Sequence, residues 1–266
     1  MIDRFGRKIN YLRISVTDRC NLRCRYCMPE DGIKLLKHSD IMSFEEVVEL
    51  TKTAVDKGIT KVKLTGGEPL VRKEIVKLVE AIAAIESIRD FGMTTNGTLL
   101  AKYANELAAA GLKRVNISLD TINAERYKEL TRRGCLDDVF KGLDAAQKAG
   151  FHPIKLNCVV GQFSNLSDEQ DVREFGKSRG LEVRTIRQMC FETGYFSVVE
   201  GGDGGDCPRC TRLRLSSDGK IYPCLFSDIS FDVRKLGAKS AIEQAIAHKP
   251  EAGGPCTNNL MHRMGG

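Results

Sequence analysis

The chain reads as an α/β protein, a partial (βα)6 TIM-like barrel with a C-terminal extension, and three observations carry that reading. Short β-rich runs alternate with amphipathic helical stretches through the first two-thirds of the sequence. The links between them are short, which makes successive strands parallel with right-handed crossovers. At 266 residues the chain is long enough for one such unit plus an extension.

The strands are predicted at 11–17, 61–65, 91–95, 114–120, 154–160 and 182–186. Helices are expected near 43–57, 73–84, 99–110, 124–132, 137–149 and 168–178. The first opens on Ser43-Phe-Glu-Glu46, a capping box. In a barrel or an open sheet of this kind a site forms at the C-terminal ends of the strands. After Met189 the alternation stops, and a glycine-rich, turn-prone stretch leads into CPRCTRLRLSSDGKIYPC. Residues 1–189 are therefore read as the core and 190–266 as the extension, with one further helix at SAIEQAIAHK.

Composition narrows the function. The net charge is +6, with the basic residues dispersed, there is no tryptophan, and 42% of residues are hydrophobic. This suits an anionic small molecule better than a nucleic acid, and no stable nucleic-acid partner is expected. No apolar run reaches the roughly 18 residues of a membrane span, and the N-terminus has no apolar leader, so a cytoplasmic location is expected.

Ten cysteines are many for a reducing compartment, where patterned thiols bind metal or react rather than pair. Six fall into two triplets: Cys20, Cys24 and Cys27 as CxxxCxxC, and Cys207 and Cys210 as CxxC followed by Cys224. The other four, Cys135, Cys158, Cys190 and Cys256, are expected to be buried free thiols. Three thiolates on one loop suit three irons of a 4Fe–4S cluster with one iron left open. A zinc site completed by a distant ligand is the alternative at this point, since structural zinc wants four ligands.

CxxxCxxC with Tyr26 before its last cysteine, followed by the Gly66-Gly67-Glu68-Pro69 turn, resembles the radical S-adenosylmethionine superfamily. The resemblance implies that Cys20, Cys24 and Cys27 hold a 4Fe–4S cluster whose open iron chelates S-adenosylmethionine. It implies that Gly66, Gly67 and Glu68 meet the methionine amino group, and that Tyr26, Thr95, Asn96, Ser118, Asp120 and Met189 line the cofactor site. Reductive cleavage then yields a 5′-deoxyadenosyl radical that abstracts a substrate hydrogen.

More of the chain is similar to the GTP 3′,8-cyclase family of molybdenum- or tungsten-cofactor biosynthesis, through residues 3–30, 64–72, 93–97, 116–121, 207–226 and the terminal Gly265-Gly266. That likeness implies a second 4Fe–4S cluster on Cys207, Cys210 and Cys224, with its open iron on the purine of GTP. Arg212 and Arg214 would face base and ribose. Arg13, Lys61, Lys63, Lys155 and Arg184 would hold the triphosphate, and Gly265 and Gly266 would enter the barrel. Lys61 with Lys63, and Arg212 with Arg214, each put two cations on one strand face. The family further implies a one-electron donor such as flavodoxin or ferredoxin and a downstream cyclic pyranopterin monophosphate synthase. A homodimer is also compatible.

The departures from the family gather on the substrate side. The 190–206 segment is short, Arg187 stands where an acid is usual and Cys190 where a proline is, and Lys63 replaces an arginine. Two other readings stand beside the cyclase: a radical maturase acting on a different nucleotide or on a peptide or protein, and a zinc- or cluster-stabilised nucleic-acid binder using CPRC and the nearby arginines. Cys190 or Cys256 could also approach the second triplet as a fourth ligand.

Overall fold

The computed structural model describes residues 1–165, 167–257 and 264. Strands β1 (Tyr11–Ser15), β2 (Lys61–Thr65), β3 (Asp90–Thr95), β4 (Arg114–Ser118), β5 (Ile154–Val160) and β6 (Glu182–Arg187) lie side by side in chain order, all parallel. The crossovers carry α1 (Phe44–Asp56), α2 (Ile75–Ala83), α3 (Leu100–Ala109), α4 (Ala124–Thr131), α5 (Leu136–Lys148) and α6 (Asp168–Ser178). The extension adds β7 (Arg212–Leu215), β8 (Lys220–Tyr222) and β9 (Phe231–Asp232), then α7 (Val233–Leu236) and α8 (Ala238–Ala247). Among the described residues the sheet runs β6-β5-β4-β3-β2-β1-β7-β8-β9. It does not close, yet all of β1 to β7 contribute to the wall of one cavity, which is what a curled partial barrel requires.

Strand alternation divides the sheet into two faces. Leu12, Ile14, Val62, Leu64, Met93, Val115, Ile117, Leu156, Leu213 and Leu215 are buried in one core with the inner faces of the helices. Each such side chain contributes about 1.5–3 kcal/mol when removed from water. The intervening positions carry Tyr11, Arg13, Lys61, Lys63, Arg114, Asn116, Lys155, Arg184, Arg212 and Arg214, which turn to the lumen. Register aligns them: Arg214, Arg13 and Lys63 are neighbours across β7, β1 and β2, and Arg212, Tyr11 and Lys61 form the layer beside them.

The predicted capping box is present. Ser43 Oγ accepts from Glu46 N–H at 3.2 Å, and Ser43 N–H donates to Glu46 Oε2 at 2.7 Å. The short strands β8 and β9 and helix α7 were not anticipated, because runs of two to four residues carry too little periodicity to read. The expectation of four buried thiols is corrected in part. Cys158 and Cys256 are buried, whereas Cys135 is exposed at the N-cap of α5 and Cys190 is half-exposed.

Arg7 ties the N-terminal turn to the extension. Its guanidinium pairs with Asp3 at 2.6 Å and donates to the carbonyls of Cys207 at 2.8 Å, Glu251 at 2.8 Å and Pro250 at 2.6 Å.

Candidate functional site

The first triplet follows β1 on a loop pinned at both sides. Arg23 and Arg25 N–H groups donate to the carbonyls of Thr131 and Leu130 at 3.0 Å each. The Cys24 carbonyl accepts from Cys27 and Met28, forming a tight turn that brings the thiols together. The end of β2 closes against this loop: Gly67 N–H donates to Thr17 O and Glu68 N–H to Arg19 O, both at 2.8 Å. A Cβ on Gly67 would lie 2.3 Å from Arg19 O, so the glycine pair is required by the protein's own backbone as well as by any ligand.

A cavity of about 190 Å³ brings together Cys20, Cys24, Tyr26, Cys27, Gly66, Gly67, Glu68, Thr95, Asn96, Ser118 and Met189, residues that the sequence singles out. Asp120 is the exception: it is not on the wall but behind it. Its Oδ2 accepts from Tyr26 Oη at 2.7 Å and its Oδ1 from Val159 N–H at 2.8 Å, so it orients the tyrosine. Burial pushes its carboxyl up to about 6.

The neighbouring cavity, about 510 Å³, lies inside the curve of the sheet. Arg13, Lys61, Lys63, Lys155, Arg184, Arg212 and Arg214 all line it, together with Cys207, Cys210 and Cys224. Gly265 and Gly266 fall outside the described residues. The two cavities share Thr94, Asn157, Ile186, Arg187 and Met189 as walls.

Several of these cations are matched by acids. Lys61 meets Asp90 at 3.4 Å, Arg212 meets Asp203 at 2.7 Å, and Lys155 pairs with Glu182. Lys63 is different: it is 4% exposed, with no hydrogen-bond or carboxylate partner among the described residues. Burial holds its ammonium well below the ordinary lysine value, with Arg13 and Arg114 adding to the effect.

Sequence reasoning missed four residues on this wall. Arg114 faces the lumen, held by Asp90 at 2.5 and 3.0 Å, and its inward place in the alternating RVNIS run was the available signal. Asp90 sits at the strand edge, and Asp203 on a glycine-rich loop whose path nothing in the composition foretells. Lys249 reads as a solvated helix-end lysine but is 1% exposed. Neither Cys190 nor Cys256 lines the cavity. Cys256 lies in the apolar cluster of Phe191, Tyr222, Leu225 and Phe226, against which Cys224 of the second triplet also packs.

Residues 14–176 match the Radical SAM superfamily, the class of enzyme that this partial barrel and its first triplet define. Among similar curated proteins, the GTP 3′,8-cyclase of Thermodesulfovibrio yellowstonii is 40% identical over 292 residues, covering 92% of this chain and 91% of that protein. The GTP 3′,8-cyclase of Geobacter sulfurreducens is 38% identical over 315 residues, covering 99% and 97%. That alignment is longer than the 266 residues of this chain, so the relative carries segments absent here. The chain belongs to the GTP 3′,8-cyclase family of radical S-adenosylmethionine enzymes.

Solved structures agree on the fold. anSMEcpe with bound AdoMet aligns at a TM-score of 0.63 with 16% identity over 96% of this chain and 79% of its own. SuiB of Streptococcus suis, bound to S-adenosylmethionine, aligns at 0.60 with 16% identity over 92% and 64%. Among the described residues no helix is long and apolar enough to cross a membrane.

Membership implies a 4Fe–4S cluster and S-adenosylmethionine, and the first site fits them. Among the described residues no three His, Cys, Asp or Glu donors converge on a single metal ion, which a cluster with each thiolate on a different iron does not require. The Tyr127 hydroxyl is buried without a hydrogen-bond partner, near enough to Cys24 and Cys20 for both to act on it. A buried polar group of that kind calls for an acceptor, which a bound cluster would supply.

Glu68 is buried, and its carboxylate accepts from Asn96 N–H at 2.6 Å, Thr95 Oγ1 at 2.7 Å and Leu70 N–H at 3.1 Å. Burial nonetheless pushes its carboxyl up to about 7. A carboxyl raised in the fold favours the protonated state, so its ionisation destabilises the free protein as pH rises from 4.5 towards 7. A methionine ammonium needs the ionised form. S-adenosylmethionine affinity is expected to fall by up to tenfold per pH unit below about 7 and to level off above it. Glu68→Gln should flatten that profile and lose roughly ten- to a hundredfold at pH 8. Equilibrium dialysis at several pH values checks this, and a flat wild-type profile contradicts it.

Proposed function

We propose that the chain cyclises GTP to 3′,8-cyclo-7,8-dihydro-GTP, beginning with removal of the ribose C3′ hydrogen. The carrying observation is the cation-lined cavity that touches the second cysteine triplet at one end and shares a wall with the S-adenosylmethionine pocket at the other. A triphosphate requires several cations in a fixed arrangement. Lys63, buried and unmatched, has the environment of a residue whose partner arrives with the ligand.

The cluster and S-adenosylmethionine, when bound, supply the hydrogen-abstracting radical. The remaining work belongs to the chain. Glu68 holds the methionine ammonium, and Asp120 fixes Tyr26 beside it. Arg13, Lys61, Lys63, Lys155 and Arg184 take the triphosphate, with Arg114 on the adjoining strand, and Arg212 and Arg214 on β7 face base and ribose. Thr94, Asn157 and Met189 form the common wall across which the ribose would meet the radical. In this reading residues 1–189 are the radical-generating core and 190–266 the extension that holds the substrate.

A second 4Fe–4S cluster on Cys207, Cys210 and Cys224 is part of the proposal. Its support is the buried Lys249 ammonium among those thiols, whose other partners are neutral carbonyls, an environment that suits an anionic cluster. Cys190 is absent from the cavity wall, and the reading of an iron left open for the purine rests on the likeness to the cyclase family. A flavodoxin- or ferredoxin-type donor would supply the electron, and cyclic pyranopterin monophosphate synthase would consume the product.

The test is anaerobic incubation of the reconstituted protein with S-adenosylmethionine, GTP and a reductant. Cyclised product is expected in step with 5′-deoxyadenosine. 5′-Deoxyadenosine without that product overturns GTP as substrate and turns attention to a different nucleotide or a peptide.

Asp203 gives a second, finer expectation. From the short loop it reaches Arg212 at 2.7 Å and Lys61 at 3.9 Å, standing where a phosphate would compete for the same cations. Gly205 holds that loop tight, since a Cβ there would lie 2.0 Å from Ser197 O. Asp203→Asn is expected to tighten GTP binding roughly two- to fivefold, the scale of an exposed ion pair. Weaker binding in a titration would show instead that the carboxylate assists the substrate.

A further inference from the structure

Lys249 follows α8 in a segment that runs back across the extension, and it is among the largest fully buried side chains of the protein. Its Nζ donates to the Arg212 carbonyl at 2.7 Å and to the Pro223 carbonyl at 2.7 Å, and it hydrogen-bonds the Cys210 thiol. An ammonium has three N–H donors, and these three contacts use them all. Two of the partners adjoin cysteines of the second triplet in sequence or space: Arg212 opens β7 just after Cys210, and Pro223 immediately precedes Cys224. No carboxylate pairs with Lys249 among the described residues. A cation buried without an anion is unfavourable unless a ligand supplies the countercharge.

We infer that Lys249 is a positioning and charge-setting residue for a cluster on Cys207, Cys210 and Cys224, holding two cysteine-bearing segments in register and easing reduction of that cluster. The inference rests on the second-cluster reading above. The physical reason is direct: reduction adds one negative charge to the cluster, and a fixed cation against one of its thiolates favours the more negative state. The Arg7 guanidinium reaches the same region through the Cys207 carbonyl, but it is already paired with Asp3. Arg214 acts on Cys224 from the lumen side, whereas Lys249 acts on both Cys210 and Cys224 and hydrogen-bonds Cys210, so it is the cation set most directly against the triplet.

The test uses full-length protein in which Cys20, Cys24 and Cys27 are all replaced by alanine, so that only the second triplet can hold iron. This parent is compared with the same protein carrying Lys249→Gln or Lys249→Arg, by iron content, circular dichroism and a spectroscopic redox titration. If the parent holds no iron, the second-cluster reading itself fails, whatever Lys249 does. With about four irons in each protein, Lys249→Gln is expected to make reduction at least tenfold less favourable, a shift of about 59 mV for a one-electron couple. Lys249→Arg should stay close to the parent. Equal potentials in the Gln and Arg variants overturn the inference. So does loss of iron from both variants while the parent keeps its cluster, since that outcome leaves Lys249 only a packing role.

Discussion

Replacing Cys207, Cys210 and Cys224 together by alanine is expected to halve the iron of the reconstituted enzyme, from about eight to about four per chain, and to remove the cyclised product. Cleavage of S-adenosylmethionine should survive, because the pocket of the first triplet is built from the C-terminal ends of β1 to β6 and shares only a wall with the second site. Even residues that merely support a metal ligand cost 10- to 100-fold in affinity or activity when removed. Loss of the ligands themselves should therefore exceed about a hundredfold. Iron analysis and product chromatography on one preparation check both halves. Full iron content in the variant would break the assignment of the triplet. Unchanged cyclisation at half the iron would detach the second cluster from the chemistry.

Lys63→Met should separate stability from function. In the free protein the ammonium is buried beside Arg13 and Arg114 with no acid to match it among the described residues. A methionine of similar length keeps the packing and removes the charge. The free protein is expected to gain about 1 kcal/mol, the scale of other single stabilising changes. For a chain near this size that corresponds to a rise of about 2–4 °C in melting temperature. GTP affinity should fall about thirtyfold or more, the effect of truncating one partner of a buried charge pair. Loss of stability without loss of affinity would mean that Lys63 is structural. Calorimetry with and without GTP reads both quantities.

The fold was largely legible because its signals are periodic. Six strands and their helices emerge from alternation at periods of two and 3.6, and β2, β5 and α6 end where the sequence places them. The same alternation turned Lys61 with Lys63 and Arg212 with Arg214 into lumen residues. It would have exposed Arg114 too had RVNIS been read for facing as well as for strand content. Asp120 was expected to line the cofactor site but stands behind its wall, hydrogen-bonded to Tyr26 94 residues earlier, and no local pattern announces such a pairing. Asp203 and Lys249 were not legible. One sits on a loop with no periodicity, and the other is buried by β7 and the Pro223 turn, a long-range contact that leaves no trace in AIAHKP. Gly66 and Gly67 carried a double meaning: the resemblance assigns them to S-adenosylmethionine, while the fold also needs them for close approach to residues 17–19.

The most direct measurement is the electron-spin spectrum of the reduced second cluster, in protein whose first triplet is alanine, recorded with and without GTP. A nucleotide seated between the triplets, with its base on the open iron, predicts a change in that spectrum on adding GTP. The change should be lost in Arg214→Met, since Arg214 lines the cavity proposed to hold the nucleotide. An identical spectrum at saturating GTP would contradict it, and with it the claim that this cavity is the nucleotide's seat.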